Sequence, residues 1–184
     1  MLDERARNCR TGAVDRAVGG HGRAGGEAHA LHPIDATQSE FSLWSRDPLG
    51  TGPDDALVAW CKRHSVAFVP FSPLGRGSLT GAMDSATVSE DSDYRLQLPR
   101  LTTEPRDANR RIVDLLHEVS TAHNVSPAQV ALAWVLAQGQ HIIPIPGTRR
   151  SQHLRSNVAT TEIVLSAAEI ARLDGAPVAM GGRY

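Results

Sequence analysis

The segment HIIPIPGTRRSQHLRSN, residues 141–157, combines features that suit binding of an anion. An apolar stretch interrupted by two prolines is followed by a Gly-Thr turn, by the adjacent cations Arg149 and Arg150, and by a helix predicted to begin near Ser151. Backbone N–H groups at a helix start attract negative charge, and the planar guanidinium of arginine binds two phosphate oxygens at once. The segment therefore predicts an anion site, although these residues alone leave the anion open.

Two other polar segments occupy the same position relative to a predicted strand. Residues 38–40 (Gln-Ser-Glu) end the first strand, and residues 72–77 (SPLGRG) follow the second. Ligands of parallel α/β proteins bind at the carboxyl ends of the strands, so three such segments favour one shared site. Taken singly, each also has a purely structural interpretation: Gln38 caps a strand, SPLGRG forms a turn, and the arginine pair is solvated.

The elements that would position these segments alternate between strands and helices. In chain order, the predicted elements are a strand over 36–40, a helix over 53–64 with Pro53 at its first position, a buried strand in VAFVPF, a surface loop over 78–104, two helices, a strand in HIIPIP and a last helix. Capping boxes of Ser126 with Gln129 and of Ser166 with Glu169 mark two helix starts. The alternation predicts an α/β fold with parallel strands.

Length and charge limit the classes of protein to consider. The chain has 184 residues and a formal net charge of −1. This length suits one domain with a buried core, and the charge indicates neither nucleic acid nor a membrane surface as a partner. Cys9 and Cys61 form neither a disulfide framework nor a metal-ligand pattern, which favours a cytoplasmic location. The sequence contains no apolar run near about 18 residues and no signal-peptide pattern.

The first part of the chain differs from the rest in composition. Residues 1–27 are rich in Arg, Gly and Ala and poor in aliphatic side chains. The stretch GGHGRAGG within them is typical of a flexible or turn segment. We therefore expect a disordered or non-native segment over residues 1–27 and a single domain over residues 28–184.

Three stretches together resemble a known family. ATQSEFSLWSRDP, VAFVPFSPLGRGSLTG and IIPIPGTRRSQHLRSNV are similar to the C-terminal half of the aldo/keto reductases, in particular the pyridoxal or aldehyde reductases of bacteria and plants. The resemblance runs from about His29 to Leu173. It implies a (β/α)₈ barrel of the TIM type, present here as an incomplete C-terminal half-barrel. It also implies that NADP(H) binds across the carboxyl end and passes a hydride to a carbonyl.

The resemblance assigns a set of residues to the cofactor. These are Gln38, Phe71, Ser72, Leu74, Gly75, Arg76, Gly147, Thr148, Arg149, His153 and Asn157. Gln38 matches the glutamine that binds the nicotinamide carboxamide, and Phe71 stands where the family usually has a tyrosine stacked on the nicotinamide ring. The loop after Phe71 matches the one around the pyrophosphate, where Arg76 would contribute charge.

The remaining assignments concern the adenosine end of the cofactor. Residues 147–149 match the loop at the adenosine 2′-phosphate, and Asn157 matches the asparagine near the adenine. Ser156 departs from the family, which commonly has a glutamate there to hold the adenine amino group.

The four residues on which the family's chemistry depends have no match in this chain. They are an aspartate, a tyrosine acid, a lysine and a histidine, all from the first half of the barrel. Tyr94, Tyr184 and the single lysine, Lys62, cannot be assigned these roles, so we assign no catalytic residue and no metal ligand. A barrel of this type needs about 250 residues. A truncated reading frame accounts for the shorter chain, and assembly from complementary half-barrels is the rival account.

Several functions stay open at this point. The leading hypothesis is an NADP(H)-dependent aldo/keto reductase acting on a small carbonyl substrate, with the catalytic half missing and the isolated chain inactive. The alternatives are a non-catalytic nucleotide-binding or interaction fragment, and a degraded gene product. We also expect self-association through unpaired barrel edges near residues 34–40 or 142–146.

Overall fold

The computed structural model describes residues 22–52, 55–81 and 103–181. Its helices and strands, in chain order, are α1 (Gly22–Leu31), β1 (Ala36–Glu40), α2 (Leu57–Arg63), β2 (Ala67–Phe71), α3 (Thr103–His123), α4 (Pro127–Ala137), α5 (Ser151–Ala159) and α6 (Ala167–Asp174). Short 3₁₀ turns occupy Asp47–Leu49, Gly75–Thr80 and Thr160–Glu162. From β1 to α4 this order confirms the predicted alternation of strands and helices. The strand predicted in HIIPIP is instead an extended segment with an isolated bridge between Ile142 and Phe68. Most of the predicted loop over 78–104 lies outside the described residues.

Parallel pairing joins β1, β2 and a third extended segment. β1 and β2 pair in parallel along their whole lengths. Residues 142–146 run along the other side of β2: the Phe68 N–H donates to the His141 carbonyl (2.8 Å), and the Ile143 N–H donates to the Phe68 carbonyl (2.8 Å). The Ile145 N–H also donates to the Pro70 carbonyl (3.1 Å), but Pro70 has no N–H to donate back, so the segment is extended without completing a regular ladder.

Helices cover one face of this sheet. Phe68 and Pro70, alternate residues of β2, are buried on that side. The ring centroids of Phe41 and Phe68 lie 5.8 Å apart, and those of Phe41 and Trp134 lie 5.3 Å apart. Because burying a side chain of this size stabilises a fold by about 1.5–3 kcal/mol, this aromatic group holds α4 against the sheet.

The opposite face of the sheet is open and apolar. Val69 and Phe71 are partly exposed there, and the side chains of Ile143 and Ile145 are 56% and 45% exposed. Alternate residues of a strand point to opposite faces, so these side chains share the side away from the helices. In the described part of the chain, helices therefore pack against one face of the sheet and leave the other face open.

Local signals set the starts of several helices. Both predicted capping boxes are present, at the starts of α4 and α6. The predicted start of α2 at Pro53 is wrong, because the helix begins at Leu57. A turn precedes it, in which the N–H groups of Asp55 and Ala56 both donate to the Gly52 carbonyl. Pro53 itself lies outside the described residues.

Helix α1 corrects the prediction made for the glycine-rich stretch. Residues 22–26 of GGHGRAGG belong to α1 and do not form the predicted turn. A Cβ atom added to Gly25 would lie 3.0 Å from the Trp60 ring, so the glycine lets α1 approach α2 closely. The His29 Nδ1 then accepts a hydrogen bond from the Ile34 N–H (3.0 Å) at the passage into β1. Residues 1–21 lie outside the described part of the chain.

Candidate functional site

A cavity of about 720 Å³ lies where β2 and the third extended segment end. One wall is residues 72–80, which we call the 72–80 loop, and the other is residues 146–157, which we call the 146–157 segment. The residues lining it are Ser72, Pro73, Leu74, Arg76, Gly77, Thr80, Ser126, Ala128, Pro146, Gly147, Thr148, Gln152, His153, Ser156 and Asn157.

The cavity brings together most of the residues predicted to bind the cofactor. Those that line it are Ser72, Leu74, Arg76, Gly147, Thr148, His153 and Asn157. The others lie nearby without lining it. Gln38 and Phe71 belong to the open side of the sheet, Gly75 is a buried residue of the 72–80 loop, and Arg149 is exposed in the turn before α5.

The 72–80 loop has an unusual backbone. Ser72 (φ 49°), Gly75 (φ 56°), Arg76 (φ 55°) and Gly77 (φ 102°) all have positive φ. Glycine adopts this conformation freely, whereas each other residue is strained by about 1–3 kcal/mol. A Cβ on Gly75 would also lie 3.3 Å from the Trp44 ring. The glycines therefore permit a tightly coiled loop, and its other left-handed residues require support from the surrounding structure.

Arg76 is engaged with a buried carboxylate. Its Nη1 and Nη2 donate to Oε1 (3.4 Å) and Oε2 (3.3 Å) of Glu40, whose side chain is 2% exposed. The sequence predicted Arg76 as a source of free positive charge for the cofactor. The structure places it at the cavity wall and balances its charge with Glu40.

The 146–157 segment is more exposed. The Thr148 Oγ1 accepts a hydrogen bond from the Arg150 N–H (3.2 Å) and so shapes the turn before α5. Helix α5 begins at Ser151, has no acidic residue in its first turn and no capping bond from the Arg150 side chain. Its positive dipole end therefore faces the turn without a carboxylate of its own helix to neutralise it.

Helix α5 presents side chains to the cavity at regular spacing. Gln152 with Ser156, and His153 with Asn157, are pairs four residues apart on the helix surface, and all four line the cavity. Gln152 was not among the residues predicted from the sequence, although its i, i+4 relation to Ser156 was a signal that could have found it. Ser126 comes from the start of α4, and no local pattern indicated that it would lie here.

The described groups with shifted pKa values lie away from the cavity. Burial lowers the pKa of Arg46 and raises that of the Cys61 thiol. Hydrogen bonds from Ser166, together with His123, lower the pKa of Glu169 to about 2. Among the residues lining the cavity, the titratable side chains are those of Arg76 and His153. The arrangement therefore suits binding of a polar ligand better than proton transfer.

Within residues 22–52, 55–81 and 103–181, no group of three or more His, Cys, Asp or Glu side chains is placed to hold a metal ion. Nor does any helix within those ranges combine the length and apolar character needed to cross a membrane.

Comparison with known sequences gives a consistent result. The model of the aldo/keto reductase family matches residues 12–177. A probable aldo-keto reductase 1 of Glycine max is 37% identical over 160 residues, and the aldo-keto reductase yakc [NADP(+)] of Schizosaccharomyces pombe is 36% identical over 161 residues. Each alignment covers 85% of this chain but only 44% and 46% of the relative. The chain thus spans about half the length of the curated relatives it matches.

Solved structures agree with this coverage. The thermostable aldo-keto reductase Tm1743, in complex with epalrestat, is 29% identical with a TM-score of 0.57, and the match covers 81% of this chain and 43% of that one. An aldo-keto reductase of Klebsiella pneumoniae in complex with NADPH is 25% identical with a TM-score of 0.52, covering 79% and 40%. The glycerol dehydrogenase AKR11B4 of Gluconobacter oxydans, at 20% identity and a TM-score of 0.70 over 79% and 43%, shows the fold alone. The described sheet and helices are therefore part of a (β/α)₈ barrel.

Proposed function

The chain belongs to the aldo/keto reductase family, and from this premise we propose that its cavity binds the adenosine end of NADP(H). The observation that carries the proposal is that the 72–80 loop and the 146–157 segment line one cavity, although they are far apart in the sequence. Among similar proteins, one is named as an NADP(+) enzyme and another was solved with NADPH.

The chemistry of the 146–157 segment fits a phosphate monoester. Arg149 and Arg150 are exposed beside the start of α5, and Thr148 lines the cavity. A Cβ added to Gly147 would meet nothing within 4 Å, so the backbone at this point is open to a ligand. In the proposal, these residues hold the adenosine 2′-phosphate, while Gln152, Ser156 and Asn157 face the adenosine.

The nicotinamide end is proposed to lie on the open side of the sheet. Gln38 and Val69 are paired in register on β1 and β2, and Phe71 ends β2. The Gln38 carboxamide can both donate and accept hydrogen bonds, which suits the carboxamide of nicotinamide. The Phe71 ring offers an apolar face for stacking. A dinucleotide running from α5 past the 72–80 loop to this face would pass most of the residues that the resemblance assigned.

For the whole protein we propose reduction of a small carbonyl compound. When bound, NADPH supplies the hydride for the carbonyl carbon, and a separate acid must supply the proton for the oxygen. Neither the sequence nor the cavity lining assigns that acid to this chain. The proposed role of the matched part is therefore to bind and orient the cofactor, and the isolated chain is proposed to be inactive.

A second candidate function rests on the open sheet face. Ile143 and Ile145 are about half exposed on it, and Leu154 and Val158 are 55% and 62% exposed on α5. Exposed apolar surface of this kind promotes association. The chain would then act as an interaction fragment, joining either another copy or a complementary half-barrel. Light scattering on the purified chain tests self-association, and a monodisperse monomer with a cooperative thermal transition would contradict it.

Titration of the purified chain with NADPH, followed by nucleotide fluorescence, tests the proposed cofactor site. Saturable binding, with NADH bound more weakly, is the expected result. NADH is the matched control because it differs only in lacking the 2′-phosphate. Equal affinity for the two nucleotides, or no binding of either, would rule out a 2′-phosphate site in this chain.

A further inference from the structure

Glu40 is a buried carboxylate that the cofactor site, as described so far, does not use. It ends β1, its side chain is 2% exposed, and it does not line the cavity. Besides the two donors of Arg76, the Ser45 Oγ donates to its Oε1 (3.0 Å). A carboxylate removed from water in this way requires both a counter-charge and hydrogen bonds, and Glu40 has them.

Arg76 connects this carboxylate to the cavity wall. Its backbone lies at the joint between two short 3₁₀ turns, at φ 55° and ψ 27°, and Gly77 follows at φ 102°. A non-glycine residue keeps such a conformation only when its surroundings enforce it. The fork of two hydrogen bonds to Glu40 fixes the guanidinium, and through it the position of the backbone at residue 76.

The segment after β1 supports the same loop at a second point. The Trp44 ring lies against Gly75, where a Cβ atom would come within 3.3 Å of it. The Ser42 Oγ accepts hydrogen bonds from the N–H groups of Trp44 and Ser45 (both 3.1 Å), which shapes this segment. Residues 40–45 therefore hold the 72–80 loop from beneath, by an ion pair at Arg76 and by packing at Gly75.

We infer that Glu40 and Arg76 are positioning residues, which fix the 72–80 loop in the shape that receives the central part of the dinucleotide. This inference rests on the proposed cofactor site. It assigns Arg76 a different role from direct phosphate binding, because a guanidinium held by a buried carboxylate is already charge-balanced. The loop contributes its shape, while the 146–157 segment contributes the free positive charge.

Affinities for two ligands distinguish this positioning role from a general effect on folding. NADPH spans both walls of the proposed site, whereas adenosine 2′-monophosphate reaches only the 146–157 segment. In Glu40→Gln and in Arg76→Met, NADPH affinity is expected to fall about tenfold, while affinity for adenosine 2′-monophosphate changes less than about twofold. The double variant is expected to be no weaker than either single variant, because both changes break the same contact.

Two further variants complete the design. Glu118→Gln makes the same chemical change in an exposed ion pair with Arg172 and should leave both affinities unchanged. If Glu40→Gln does not fold, Ser45→Ala removes one hydrogen bond to Glu40 and should weaken NADPH alone, by about threefold.

The outcomes distinguish this inference from the proposed function. If the parent chain binds neither ligand, the proposed function fails and the inference falls with it. If the parent binds both ligands but the variants are unchanged, only the inference is overturned. An increase in NADPH affinity in Glu40→Gln would also overturn it, because Arg76 would then be a phosphate ligand that Glu40 holds back.

Discussion

The 72–80 loop is anchored by buried contacts, whereas the 146–157 segment across the cavity is mostly exposed. The loop contains buried Gly75, Ser78 and Leu79 and is joined to Glu40. Helix α5 of the segment has no buried residue. The same cavity thus combines a wall whose shape is fixed by packing with a wall whose charge is accessible to a ligand. Changes in the first should affect folding and binding together, and changes in the second should affect binding alone.

The largest expected effect concerns catalysis, because neither wall of the cavity supplies the acid that carbonyl reduction requires. Among the described residues lining the cavity, Arg76 and His153 are the titratable ones, and neither matches the family's acid. General acid catalysis is typically worth about 10²–10⁴-fold, so we expect no measurable NADPH-dependent reduction by the isolated chain. NADPH consumption with 4-nitrobenzaldehyde is the measurement. Turnover that disappears when the protein is removed would show that a catalytic acid is present.

The next prediction tests whether the exposed charge of the 146–157 segment binds the 2′-phosphate. Arg149→Ala should weaken NADPH binding by about ten- to a hundredfold, since a charge-assisted hydrogen bond is worth about 1.5–3 kcal/mol. NADH binding and the free energy of unfolding should not change. The parent's preference for NADPH should also decrease at high salt, because exposed charges are screened.

Arg155→Ala is the matched control for this prediction. Arg155 is an exposed arginine within α5, whereas Arg149 lies in the turn before the helix start. An equal loss of NADPH affinity in both variants would mean that general positive charge, and no specific phosphate contact, attracts the nucleotide.

A pair of glycine substitutions compares the two walls directly. Gly75→Val should lower the free energy of unfolding by about 1–3 kcal/mol, because Gly75 has φ 56° and its Cβ would press on Trp44. Gly147→Val should change that free energy by less than about 0.5 kcal/mol, since nothing lies within 4 Å of its Cβ. Both should bind NADPH more weakly. Urea unfolding followed by tryptophan fluorescence gives the stabilities, and similar losses in both variants would refute the contrast.

The features that were predicted correctly from the sequence are set by residues close together in the chain. Both capping boxes join residues three positions apart. The apolar run VAFVPF correctly predicted a strand, although its predicted burial holds for one face only, because Val69 and Phe71 are partly exposed. The start of α2 was misplaced because Pro53 and the acidic residues after it suit a helix start, yet the N–H groups of Asp55 and Ala56 form a turn onto Gly52. The preference of these residues for a helix start was therefore outweighed by the turn, and α2 begins only after it.

The features that could not be predicted are set by contacts between residues far apart in the sequence. Gly25 looked like a turn former because the sequence does not show that Trp60 packs against it. Arg76 looked like a free cation because Glu40 lies 36 positions earlier in the sequence. The family resemblance selected seven of the fifteen residues that line the cavity, but it could not indicate which of their charges are balanced within the fold.

The smallest expected effect is acid sensitivity at α6, which does not line the cavity. The pKa of Glu169 is lowered from 4.5 to about 2 by hydrogen bonds from Ser166 and by His123, whose Nε2 lies 2.8 Å from Glu169 Oε1. A carboxyl group with a lowered pKa in the folded state stabilises the fold above its unfolded pKa. That contribution is lost as the pH falls from 4.5 towards 2.

In Glu169→Gln the amide can still complete the capping box but does not titrate. The variant should therefore be slightly less stable at neutral pH and should lose less stability on acidification, with NADPH affinity unchanged. Urea unfolding at both ends of this pH range gives the two slopes, and identical pH dependence in parent and variant would show that Glu169 does not carry the effect.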